Sequence, residues 1–378
     1  MRADSENNMT NESIADVLVA MSGGVDSTVA ALLLQEEGYS LAGVTMKLFD
    51  DDLIGTAIES GCCSLDDVQD AKSACRRMGI EHYTLNFKGH FKRDVVEKFC
   101  NSYLEGLTPN PCIDCNRYLK FEGLQQRRRE LGAEYVATGH YARTRFNEET
   151  GKWELLRAVD KSKDQSYVLY HLTQDDLAHM LFPLGSYEKS QIREFARKAG
   201  FDNAEKSESQ DICFVPNGDY VSFIEQFEEN EGKSVLSKPG DIVDANGKRI
   251  GMHNGLIRYT IGQRKGIGIA SKEPLYVLDK DVSTNQLVVV PRSELYVNKV
   301  NLIDVNVISG EVRDSEQETN FKTGYRQQFA PGTIAISENG TAQVRFKEPV
   351  VRPAPGQSVV AYVGDAVLGG GIVSIDRN

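Results

Sequence analysis

The chain has 378 residues, 40% of them hydrophobic and 26% charged, with a formal net charge of −12. That length suits two or three domains, each with its own core, and the acidic balance argues against nonspecific nucleic-acid affinity while allowing a local basic surface. Residues 1–13 read as a disordered polar tail without a leader, no apolar run is long enough to span a bilayer, and the seven cysteines, an odd number, predict a reducing cytoplasm where thiols are buried, metal-binding or catalytic.

Val17–Ala20 is a short β-branched run that predicts a buried strand. Thr28–Glu37 is rich in helix formers and closed by Gly38, so it predicts a helix. Between them lies Ala20-Met21-Ser22-Gly23-Gly24-Val25-Asp26-Ser27. Ser22, Asp26 or Ser27 can cap the helix, and the glycine pair lets the backbone approach a ligand. Exposed amides at such a turn, with the helix dipole behind them, make an anion site. No Gly-Lys-Ser/Thr follows, so this is not a Walker loop.

Strand-like runs then alternate with helical ones as far as Gly139. Leu41–Met46, Glu81–Asn86 and Tyr135–Thr138 read as strands; Asp66–Met78, Lys92–Tyr103 and Phe121–Leu131 read as helices. The alternation predicts an α/β domain with a parallel sheet, its anion loop at the carboxyl end of the first strand. Gln174–Gly200 reads as mainly helical and closes this domain. Beyond Val215 the character changes: Lys238-Pro239-Gly240-Asp241, Asn246-Gly247 and Asn254-Gly255 are turn signals between short extended pieces. From about Asn301 strands dominate, with Thr333–Ser337 and Ala342–Phe346 forming a hairpin, and a small β-barrel is expected. The expected division is 1–13 tail, 14–215 α/β domain carrying the anion loop, 216–296 small central domain and 297–378 barrel.

The second informative stretch is Thr108-Pro109-Asn110-Pro111-Cys112-Ile113-Asp114-Cys115-Asn116, a rigid two-proline loop carrying a C-x-x-C pair. Arg117 and Lys120, and a helix start if Asn116 caps it, would favour a thiolate there. Cys213 follows in Asp211-Ile212-Cys213-Phe214. Three readings stay open: inert buried thiols, a zinc site with a fourth ligand from Cys62, Cys63 or a histidine, and reactive sulfur chemistry through thiols or an iron–sulfur cluster.

The Ser-Gly-Gly-x-Asp-Ser stretch resembles the PP-loop ATP pyrophosphatases. With the cysteine loop, Asp-Ile-Cys-Phe, Ala137–Tyr141, Lys163–Tyr167, Leu181–Gly185, Gly262–Gly266, Pro355–Ser358 and Leu368–Ile372, nearly the whole chain resembles the tRNA-specific 2-thiouridylases of the MnmA/TrmU family. The resemblance implies a PP-loop α/β domain, a small central domain and a C-terminal β-barrel. It implies ATP-dependent sulfuration of C2 of the wobble uridine, with Mg2+, a tRNA anticodon stem-loop as substrate, and a protein persulfide as sulfur donor (a cysteine desulfurase or relay protein).

Carried over residue by residue, Ala20, Met21, Ser22, Gly23, Gly24, Val25, Asp26, Ser27, Met46 and Gly139 contact ATP. Cys213 carries the persulfide and Cys115 is the second catalytic cysteine, the two closing a disulfide at the end of a turnover. Asn110, Pro111 and Cys112 approach the target base, and His140, Lys163, Asp164, Gln165, Gly324, Tyr325 and Gln357 touch tRNA. Well-studied family members carry an aspartate at the position of Cys112, and the family often has an arginine at that of Gly324. Cys112 or Asp114 would then supply acid/base chemistry, or Cys112, Cys115 and Cys213 would hold a [4Fe–4S] cluster. The competing readings are another PP-loop synthetase, which would have no use for the cysteines, and a noncatalytic metal-dependent RNA-binding protein.

Arg127-Arg128-Arg129 reads equally as a solvated helix face or as a phosphate contact. Lys248-Arg249, Arg258 and Arg264-Lys265 read as an RNA-facing group. Trp153, His82, His171, Cys75 and Cys100 read as structural, and Cys62-Cys63 as a lesser redox candidate.

Overall fold

The computed structural model describes residues 14–49, 65–201, 203, 212–233, 238–310 and 317–375. The tail 1–13, Cys62-Cys63 and Asp211 therefore lie outside the described residues.

The first layer is a parallel sheet. Its strands are β1 (Val17–Ala20), β2 (Leu41–Lys47), β3 (Glu81–Asn86) and β4 (Tyr135–Ala137), with α1 (Val25–Glu36) and α2 (Leu65–Met78) among the connecting helices. A hairpin, β5 (Ala142–Asn147) and β6 (Lys152–Arg157), follows, and the two-residue β7 (Met180–Leu181) completes the sheet in the order β3-β2-β1-β4-β7. β1 and β2 are almost wholly buried, as their unbroken apolar runs require. The order reverses beside β1, between β2 and β4. Loops leaving β1 and β4 therefore open a crevice at the carboxyl ends of the strands, where such sheets take ligands.

The stretch Gln174–Gly200 is mainly helical, as expected, but in three pieces with a short strand between them. A capping box from Thr173 and Asp176 starts a helix at Gln174–Ala178, β7 interrupts, and Pro183 opens a short 3-10 turn before the helix Lys189–Lys198. A strand of two residues carries no readable period, so β7 itself was not expected.

The central domain is a sheet of β8 (Gly240–Val243), β9 (Arg249–His253), β10 (Leu275–Asp281) and β11 (Gln286–Pro291) around Ile242, Tyr259, Ile267, Val277, Leu287 and Val289. The last domain is a closed barrel of β12 (Tyr296–Val307), β13 (Gln317–Lys322), β14 (Ala330–Ile336), β15 (Ala342–Val351), β16 (Ser358–Val363) and β17 (Ala366–Val373). Antiparallel pairing of β12 with both β15 and β17 closes it. The expected hairpin at Glu338–Thr341 is present as β14–β15. At Gly369 any Cβ would stand 2.1 Å from the Asn306 carbonyl oxygen, so the glycine lets β17 approach β12. The hairpin β5–β6 leaves the first domain and pairs with β17 at Leu156–Ala366, joining that domain and the barrel.

Candidate active site

The glycine loop leaves β1 at the sheet's switch point. Gly24 is the N-cap of α1 and brings no side-chain cap, so none of the three expected capping residues fills that position. Ser22 and Ser27 turn toward each other instead: the Ser22 amide donates to Ser27 Oγ at 3.1 Å, and their hydroxyls lie 3.3 Å apart. First-turn amides at the head of a twelve-residue helix, with two hydroxyls beside them, suit a polyanion. Gly23 is in the left-handed region (φ 72°), and a Cβ there would strike the Asp67 carbonyl oxygen at 2.4 Å. Asn203 holds the loop by donating to the Gly23 carbonyl and to Thr28 Oγ1, both at 3.0 Å.

Gly139, just past β4, closes the other side. A Cβ there would sit 2.8 Å from the Ser27 backbone nitrogen. Met46 is buried near the end of β2, and Thr45 donates to the Met21 carbonyl at 2.8 Å. Asp26 accepts from Lys189 Nζ at 2.7 and 2.8 Å and from the Tyr141 hydroxyl at 2.8 Å. Lys189 lies far along the chain, and no local pattern marked it. The fold brings it in because the helix Lys189–Lys198 packs on α1.

The cysteine pair lies inside a helix. Asn110, not Asn116, is its N-cap, Pro111 fills the first turn, and the helix runs through Pro111–Asp114, a π-helical stretch Cys115–Gly123, and Leu124–Glu130. Asn116 is buried and bonds to the Val168 carbonyl. Cys112 is exposed and Cys115 half-buried. Asp114 is buried and pairs with Lys98 at 2.5 Å. Burial pushes the Asp114 carboxyl above its ordinary range, against the pull of Lys98. Arg117 pairs with Asp304 of the barrel and lies over the Tyr118 ring, so its charge is already matched.

Cys213 is half-buried and packs, like Cys115, against the main core cluster. Its neighbour Phe214 is buried among Phe91, Phe99 and Phe223. Among the described residues, no group of three or more His, Cys, Asp or Glu side chains converges as metal ligands. Cys112, Cys115 and Cys213 therefore do not form a cluster or zinc cradle in this conformation.

The residues expected to touch RNA divide by exposure. Tyr325 is exposed, near the Tyr167 ring, with Gly324 and Lys163 partly buried. Asp164 is buried, accepting from Arg157 Nε at 2.9 Å and from the Ala158 and Ser166 amides. Gln165 accepts from the Tyr141 amide at 2.9 Å, bracing the loop after Gly139. His140 is buried against Phe121 and Phe182, its Nδ1 2.8 Å from Thr138 Oγ1; burial and then the Lys120 charge hold the imidazole neutral well below its usual range. Gln357 donates to the Thr108 carbonyl at 2.7 Å.

The other candidates resolve similarly. Arg128 is buried on Gln125 Oε1 and the Ala133 and Glu134 carbonyls, while Arg127 pairs with Glu130. Arg249 and Arg258 pair with Asp241 and Glu225. His82 bonds Thr45, and Trp153 packs on Phe146. Among the described residues no helix is long and apolar enough to cross a membrane.

Comparison with known proteins matches all three parts. A profile described as "tRNA methyl transferase HUP domain" covers residues 15–217, a "tRNA methyl transferase PRC-barrel domain" covers 232–291, and an "Aminomethyltransferase beta-barrel domain" covers 293–373. The chain is 47% identical to "tRNA-specific 2-thiouridylase MnmA 2" of Caldanaerobacter subterraneus subsp. tengcongensis, over 94% of this chain and 97% of that one. It is 46% identical to "tRNA-specific 2-thiouridylase MnmA" of Carboxydothermus hydrogenoformans, with the same two coverages. Similarity of that extent, over a PP-loop sheet, a small central sheet and a closed barrel, means that the chain belongs to the tRNA-specific 2-thiouridylase family.

Proposed function

We propose that the protein is an ATP-dependent sulfurtransferase that replaces O2 of the tRNA wobble uridine with sulfur, releasing AMP and pyrophosphate. The carrying observation is that Cys115 and Cys213, far apart in sequence, both pack on one core cluster while staying partly accessible, in a fold whose glycine loop suits a polyphosphate. A uracil oxygen is a poor leaving group. Its attack on the α-phosphate of ATP yields an adenylate, from which AMP departs easily. Ala20–Ser27, Met46 and Gly139 bind the nucleotide, with the first-turn amides of α1 on the departing pyrophosphate.

Mg2+ accompanying the nucleotide fits this site as an ion held chiefly by phosphates and water, because both Asp26 oxygens already accept from Lys189. It would supply charge neutralisation for the leaving pyrophosphate, and the Asp26 carboxylate, held by Lys189, would reach it only through water. Asn110, Pro111 and Cys112 face the base, which must leave the anticodon stack. His140, Lys163, Asp164, Gln165, Gly324 and Tyr325 form or brace the RNA surface, and Gln357 holds the loop before Asn110. Cys112 is the accessible candidate for proton transfer, since Asp114 is held by Lys98.

A protein persulfide loads Cys213. Its outer sulfur bonds to C2 as AMP leaves, and the Cys115 thiolate attacks the inner sulfur. The outer sulfur is thereby reduced to the thiocarbonyl, while the two cysteines are oxidised to a disulfide. An external thiol reductant then resets the pair. No step is assigned to an iron–sulfur cluster, since the three cysteines do not converge as ligands.

The test is a thiolation assay with anticodon-stem RNA, ATP and a persulfide donor. 2-Thiouridine should form with stoichiometric pyrophosphate, and Cys213→Ala should abolish it. Absence of product from the wild type, or full activity of Cys213→Ala, would refute the reading.

A further inference from the structure

Four successive residues before the cysteine helix are gripped by two other domains, Gly106 and Leu107 by the central domain and Thr108 and Pro109 by the barrel. Gly106 lies against β10: a Cβ there would meet the Lys280 carbonyl oxygen and Val282 Cγ2 at 3.0 Å. The Leu107 carbonyl accepts from Lys280 Nζ at 3.2 Å. Lys280 is 1% exposed and its ammonium sits over the Tyr103 ring at 5.3 Å, so a desolvated cation of the central domain is committed to this loop.

The barrel holds the next two residues. The Thr108 amide donates to the Pro355 carbonyl at 2.8 Å, and Gln357 Nε2 donates to the Thr108 carbonyl at 2.7 Å and the Pro109 carbonyl at 3.4 Å. Gly356, between those two barrel residues, has φ 90°, and a Cβ on it would stand 3.1 Å from Leu107 Cβ and from the Thr108 nitrogen. The turn is itself tied to β17, where the Gly356 amide donates to the Val373 carbonyl at 3.0 Å and the Val373 amide to the Gln357 carbonyl at 2.8 Å. Asn110, the cap of the cysteine helix, follows directly.

We infer that Gln357 and Lys280 are positioning residues that clasp Leu107–Pro109 and so fix the start of the helix presenting Cys112 and Cys115. On this reading Gln357 acts through the loop, not through RNA: its amide hydrogens are directed at two loop carbonyls. The two accessory domains thereby set the reacting geometry. The inference rests on the proposed roles of Asn110–Cys115 only for its catalytic consequence; the clasp itself is independent of them.

The experiment is site-resolved alkylation by iodoacetamide of the full chain, without tRNA or ATP, read by peptide mass spectrometry. Gln357→Glu replaces the donor by an acceptor facing two carbonyls. It should raise the Cys115 alkylation rate about tenfold, the scale of one lost hydrogen bond, while buried Cys100 stays protected. Lys280→Met should do the same from the other side, and serves if the first variant does not fold. At saturating anticodon-stem RNA the thiolation rate should fall by a similar factor, with the RNA Kd within about twofold of wild type. An unchanged Cys115 rate in the folded variants would overturn the inference, as would a weakened RNA Kd with the saturated rate intact. The alkylation readout needs no RNA, so it decides the clasp even if the wild type makes no 2-thiouridine.

Discussion

Phe99 meets Phe214 edge-on, with ring centroids 5.3 Å apart. The residue before it, Lys98, pairs with Asp114. Asp114 precedes Cys115 and Phe214 follows Cys213, so two adjacent residues of one helix anchor the neighbours of both cysteines. The registration of the thiols depends on one aromatic cluster and one ion pair.

Phe214→Ala should therefore do two things. Emptying a buried aromatic site costs about 3–5 kcal/mol, measurable by urea unfolding. Single-turnover thiolation should fall at least about tenfold at saturating ATP, because Cys213 loses its anchor. ATP affinity should stay near wild type. Phe214→Leu should recover most of both losses.

Asp114→Asn leaves the Lys98 ammonium beside a neutral amide. The Lys98 side chain is 36% exposed, so water relieves part of the loss. About 1–3 kcal/mol of stability should go. If Asp114 is an anchor, the variant's thiolation rate keeps the wild-type shape of its pH profile. Loss of one limb of that profile would instead make the carboxyl an acid/base group.

Gly139→Ala forces a methyl to within 2.8 Å of the Ser27 nitrogen, a backbone atom that cannot step aside without moving the glycine loop. The KM for ATP should rise by about tenfold or more, with unfolding free energy lowered by only about 1–2 kcal/mol. Pyrophosphate release against ATP concentration reads the first, and urea unfolding the second. An unaltered KM would remove Gly139 from the nucleotide site.

Stability should decline as pH falls below the ordinary histidine range. Burial holds His140 well below its usual value and His171 down to about 3. For a base with lowered folded-state pKa, the unfolded chain binds the proton first. The stabilisation is complete above about pH 6.5 and is lost as pH drops toward the folded-state values, at up to about 1.4 kcal/mol per pH unit for each histidine. Urea midpoints from pH 8 to pH 5 should show this fall. A His140→Asn, His171→Asn double variant should flatten it.

Much of the site was legible locally. A β-branched run, a glycine pair and a helix-forming stretch identify a strand–turn–helix anion loop, because each element is set by interactions within a few residues. The cysteine helix was half legible. Its prolines and cysteines stood out, but the helix cap was expected six residues late, at Asn116 and not Asn110, since Pro111 both stiffens a loop and suits a first helical turn. Arg128 shows the opposite limit: a charge run looks the same whether solvated or, as here, folded back on its own helix end.

What the sequence determined by itself is the set of elements and their chemistry: an anion-binding turn on a parallel sheet, a cysteine pair in a proline-bounded segment, a third cysteine, and a hairpin-rich β domain. Those follow from short-range propensity and period. Tertiary structure alone decided which distant groups meet: Lys189 on Asp26, Phe214 on Phe99, Gln357 on Thr108, Lys280 on Leu107. Each such contact closes a loop of many residues, and its partners are chosen by packing of whole elements, which no local pattern encodes.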